Sequence, residues 1–80
     1  MDQTLANRII DMLSKLEDIR VALVAAAEKT HEGLAKTAHP DAAVRSAGSA
    51  QYQSHKLERD RLEADLENLS RNIRQAITHL

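Results

Sequence analysis

The sequence predicts an all-α fold, an antiparallel two-helix hairpin of coiled-coil type, on three observations. Nine residues, Leu5, Ile9, Met12, Leu16, Ile19, Leu23, Ala26, Thr30 and Gly33, follow one another at steps of four and three. Nine more, Tyr52, His55, Arg59, Leu62, Leu66, Leu69, Ile73, Ala76 and Leu80, step three and four just as strictly. Such alternation keeps one stripe of a helix turned toward one partner, as a coiled-coil seam requires. Finally, the single proline, Pro40, falls between the two ladders, where the chain has to reverse. Residues 1–80 therefore form a single helical-hairpin domain.

The first helix is expected over about residues 3–37, with Asp2 or Thr4 as N-cap, since either side chain can accept a hydrogen bond from an orphan backbone N–H. Asp11 with Lys15 and Glu32 with Lys36 are acid-before-base pairs one helical turn apart, the favourable order. Its seam is bulky from Leu5 to Leu23 and small at Ala26, Thr30 and Gly33, so a facing helix can approach closely there.

This helix carries a second stripe. Ala6, Ile10, Leu13, Val21 and Val24 lie a quarter turn or more from the seam, an arc wider than one partner helix covers. Two occupants are expected for it: a copy of the same chain, completing a four-helix bundle by dimerisation, or a dedicated partner protein.

Residues 38–49 are expected to form the connector. Pro40 suits the start of a new helix, so Asp41 to Ala47 make a short helical turn that stops near Gly48, and Ser49 caps the second long helix over about residues 50–79. A turn centred near residue 42 pairs residues whose numbers sum to 85. Bulky residues then meet: Leu5 with Leu80, Met12 with Ile73, Leu16 with Leu69, Ile19 with Leu66, Leu23 with Leu62. Gly33 faces Tyr52, Thr30 faces His55 and Ala26 faces Arg59, leaving room for the larger side chains. The alternative has the second helix beginning at Asp41 and the turn at residue 39, which sets Ile19 against Arg59 and leaves Ala76 and Leu80 unpaired.

Composition bounds the function. Eleven Lys and Arg against twelve Asp and Glu give a net charge of −1. The signs alternate along both helices, whereas a surface that tracks nucleic-acid phosphates needs a basic excess. No nucleic-acid partner is expected. Cysteine is absent, which removes disulfides and thiolate metal sites. The chain opens Met1-Asp2 without a basic stretch, and its longest apolar run is Val21 to Ala27. Neither a secretion signal nor a membrane span is expected, so the protein should be soluble and cytoplasmic. With one aromatic residue, Tyr52, the core must be aliphatic, and a hairpin of this size gains little net stability alone.

Chemistry is not expected either. His31, His39, His55 and His79 form no one-turn pair on a helix, and Glu28 near His31 or Glu58 near His55 makes at most a two-ligand site. The serines have no glycine-rich elbow, and a thin hairpin has no pocket that excludes water. The chain should be neither an enzyme nor a cofactor binder.

The second helix opens Gln51-Tyr52-Gln53, followed by Glu58, Leu62-Glu63, Leu66 and Leu69. This resembles the second helix of the small E-type co-chaperones of type III secretion needle subunits, the YscE/PscE-like family. The likeness covers about the last thirty residues. Glu67 and Asn68 interrupt a stretch that is more continuously apolar in that family, and the expected connector is longer than its usual turn. The resemblance implies a protein-interaction module that joins a helical-repeat chaperone and, with it, keeps the needle subunit soluble and unpolymerised in the cytoplasm before export. Tyr52 would then be an aromatic anchor; packing over Gly33 is its other expected role. The alternative function is a self-associating hairpin acting as a small regulator or adaptor.

Overall fold

Two ladders with the same spacing can bury themselves against each other, and they do. A computed structural model describes residues 3–79. Helix α1 spans Gln3–Lys36 and α2 spans Ala42–Ile77, packed along their length as a hairpin 61 × 14 × 12 Å. The first ladder, Leu5 to Gly33, and the second, Tyr52 to Ala76, are buried or half-buried at every step. Leu80 and the proposed cap Asp2 lie outside the described residues; Thr4 falls within α1. Among the described residues few side chains are buried, with Ala26, Leu62 and Ile73 as the apolar core and Thr30 among them. The Thr30 hydroxyl satisfies itself by donating to the Ala26 carbonyl at 2.8 Å.

The connector is shorter than expected. Residues 38–49 do not separate the helices, and α2 begins at Ala42 instead of about residue 50. Asp41 is the N-cap, its carboxylate accepting from the Ala43 N–H at 2.8 Å. Ser49 lies inside α2, and Gly48 is buried in the helix without stopping it. The physical reason is local. The Asp41 carboxylate satisfies an orphan N–H of the first turn and so starts α2 directly after Pro40, and Gly48 serves the packing between the helices.

The remaining turn, residues 37–41, is tightly bonded. Thr37, Ala38 and His39 N–H groups donate to the carbonyls of Leu34, Ala35 and Lys36 at 3.1, 3.2 and 3.1 Å, winding the end of α1 into a narrower turn. Arg45 reaches back and donates to the carbonyls of His39 at 3.0 Å and Pro40 at 2.7 Å. The Asp41 N–H donates to His39 Nδ1 at 3.0 Å.

Register and turn position prove to be separate matters. Tyr52 lies against Gly33, as the sum of 85 requires, although the turn is not at residue 42. Gly48 stands level with Lys36, the last residue of α1. Residues 42–47 of α2 therefore run past the end of α1 by about 9 Å, at 1.5 Å per residue. The turn climbs alongside this overhang.

A candidate protein-interaction face on the first helix

Labelling seam positions a and d makes Gly33 a d residue and Tyr52 an a residue, and defines two flanks, e and g. The g flank is polar and bonded across the helices. Lys36 Nζ donates to Gln51 Oε1 at 3.0 Å, and Gln51 Nε2 donates to the Lys29 carbonyl at 3.1 Å. Lys29, Lys36 and Gln51 all occupy g, so g meets g and, on the other side of the rod, e meets e. Glu32 sits beside this flank, 3.6 Å from both Lys29 and Lys36. Attraction to Lys29 first and Lys36 second holds its carboxyl below the usual value.

The e flank of α1 is different. Together with position b it forms another ladder stepping three and four: Gln3, Ala6, Ile10, Leu13, Glu17, Arg20, Val24, Ala27, His31 and Leu34. Ile10, Leu13, Val24 and Leu34 are 61, 48, 60 and 52 % exposed, and Ala6 and Ala27 are half-buried at its inner edge. Val21, 63 % exposed, lies one position further round. The middle is polar: Glu17 and Arg20 pair at 3.8 Å, both well exposed.

Of the six residues the sequence singled out, Ala6, Ile10, Leu13, Val21 and Val24 thus lie along one side of α1. Tyr52 does not join them. It sits half-buried on the seam, its backbone N and Cα covering Gly33. Leu34 and Ile77 were missed. Leu34 continues the ladder and is reached by stepping on from Val24 through Ala27 and His31. Ile77, an exposed e residue of α2, stands by register near the level of Ala6. Leu57, also missed, lies on the outer side of α2, where a shallow depression is lined by Ser54, Leu57, Glu58 and Arg61.

Among the described residues no three His, Asp or Glu side chains converge on a point where an ion could sit. His55 meets Glu58 at 3.4 Å, and among the described residues no third such side chain is grouped with them. Within the described residues no helix is long and apolar enough to cross a membrane. Comparison with known protein families, with curated proteins and with solved structures finds no match.

Proposed function

We propose that this chain is a protein-protein interaction module that presents the outer ladder of α1 to a partner, in the manner of the E-type co-chaperones that its second helix resembles. On that reading it joins a helical-repeat chaperone in the cytoplasm and helps keep a needle subunit soluble before export. The observation that carries the interaction role is the row Ile10, Leu13, Val24 and Leu34, four large aliphatic side chains about half exposed or more on one side of one helix. Aliphatic side chains recover about 25 cal/mol for each Å² taken out of water, and among the described residues few side chains are buried within the hairpin. Docking therefore supplies burial that the fold lacks, and a partner that binds only the folded hairpin stabilises it by mass action. The Gln51-Tyr52-Gln53 motif supports the co-chaperone assignment from the sequence side.

The test is a titration of the purified chain against a candidate helical-repeat chaperone and needle subunit. Their solubility and melting temperature should rise with its concentration. Leu13→Asp should reduce the protection, because it places a charge in an apolar contact. Binding should persist at high salt. Strong, salt-sensitive binding to DNA or RNA, with no stabilisation of either protein, would overturn the reading.

A further inference from the structure

The outer ladder of α1 is self-complementary. Reversed end for end, its steps superpose on themselves, so that residues whose numbers sum to 37 lie opposite each other. Glu17 then faces Arg20 of the second copy and Arg20 faces its Glu17, while Leu13 faces Val24 and Ile10 faces Ala27, each pair occurring twice. A two-fold axis between Glu17 and Arg20 generates this contact, which is the isologous form that most homodimers take. We infer that the free protein pairs with a second copy of itself, α1 against α1 and antiparallel, with a four-charge cluster at the centre and aliphatic pairs on either side.

Charge selects this register over its neighbours. Sliding one copy by a heptad in one direction sets Arg20 against Val24 and Glu17 against Ala27; sliding it in the other sets Glu17 against Leu13 and Arg20 against Ile10. Both slips press Glu17 and Arg20 against apolar side chains with no opposite charge from the second copy, which costs free energy that the matched register avoids. The sum of 37 matches acid with base and sets Leu13 with Val24 and Ile10 with Ala27, with Ala6 opposite His31 beyond them. The layers are also of the same kind as in the hairpin itself, where Gly33 and Tyr52 join unlike ladder positions across antiparallel helices. At the ends Leu34 falls opposite Gln3. Ile77, placed by the hairpin register near Ala6, extends the apolar surface available to it.

This inference rests on the outer ladder being an interaction face, and it names a second copy as the occupant that a chaperone partner would have to displace. The test uses the full chain with Glu17→Arg, Arg20→Glu and the double exchange, followed by sedimentation equilibrium. Glu17 and Arg20 are well exposed, so each variant should retain the helicity of the hairpin. The unaltered chain should sediment at twice its 8.9 kDa mass. Each single variant, with four like charges at the axis, should associate at least roughly tenfold more weakly. The double exchange should restore the dimer, as should mixing the two single variants, which match acid with base only in pairing with each other. A single-chain mass at every concentration overturns the inference, as do single variants that dimerise like the parent. Either result leaves the chaperone titration to stand or fall on its own readout, the solubility and melting of the companion proteins.

Discussion

Gly33 and Gly48 touch through their backbones, each occupying the space that a side chain on the other would need. A Cβ on Gly33 would lie 2.9 Å from the Gly48 carbonyl oxygen and 2.6 Å from the Tyr52 nitrogen. One on Gly48 would lie 2.8 Å from the Gly33 carbonyl oxygen and 2.5 Å from Lys36 Cβ. Neither glycine has a positive φ. Their role is closeness of approach, which draws the turn end of the hairpin together and sets Tyr52 over α1.

Gly48→Ala should therefore destabilise the hairpin even though alanine is the better helix former. The propensity gain is about 0.5–1 kcal/mol, while forcing a methyl group against Lys36 and a backbone carbonyl costs about 1–3 kcal/mol. A drop in melting temperature of several degrees is expected, since 1 kcal/mol corresponds to roughly 4–8 °C in a domain this small. A variant that melts higher than the parent would show that the helices can part at this point without loss.

The two seams were legible in the sequence because periodicity survives any local error, and every described seam residue is buried or half-buried. The connector was not. Gly48 has the composition of a helix stop and the position of a packing residue, and only the facing Gly33 distinguishes these. Asp41 as cap and Ser49 as cap were equally good local signals, and the bonds from Arg45 to the His39 and Pro40 carbonyls belong with the first. The outer ladder was half visible: bulky Ile10, Leu13 and Val24 stand out, with Val21 beside them, whereas Leu34 is reached only through small Ala27 and polar His31. That the g flank is the bonded one, and the e flank the free one, depends on which residues Gln51 reaches.

The register extends beyond the glycines. Gly33 over Tyr52 fixes the sum of 85, which sets Leu16 beside Leu69, so cysteines at Leu16 and Leu69 should form an intramolecular disulfide on mild oxidation. Cysteines at Leu16 and Leu62, a full heptad out of step, should not. Comparable yields from both pairs would show that the seam slides.

Glu32 gives the hairpin a small acid sensitivity. Its carboxyl is held below the ordinary glutamate range when folded, because Lys29 first and Lys36 second favour the charged form. The associated stabilisation is present above the ordinary glutamate value and is lost as pH falls through the lowered folded one. It is small, since the pair is exposed and screened. Side-chain NMR titration should show the lowered midpoint, and Lys29→Gln should move it upward. An unchanged midpoint in that variant would remove Lys29 as the cause.

Arg59 interrupts the second seam between His55 and Leu62. Its side chain is only 28 % exposed, and its Nε is buried without a hydrogen-bond partner. The nearest carboxylates, on Asp60 and Glu63, stand 3.7 Å from Nη2 and 3.9 Å from Nε, close enough for attraction but too far for a hydrogen bond. Leaving a buried donor unpaired costs about 1–3 kcal/mol, and a half-buried charge adds to this. Arg59→Met keeps an unbranched chain of good helix propensity in the space above small Ala26 and removes both penalties. Its melting temperature should rise, by an amount equivalent to about 1 kcal/mol. Specificity should fall at the same time, because an arginine on the seam penalises the slipped register in which it would face Ile19, and a methionine does not. In the Arg59→Met background the disulfide between cysteines at Leu16 and Leu62 should become detectable, while the one between Leu16 and Leu69 persists. A lower melting temperature would mean that the two carboxylates already repay the burial of the guanidinium.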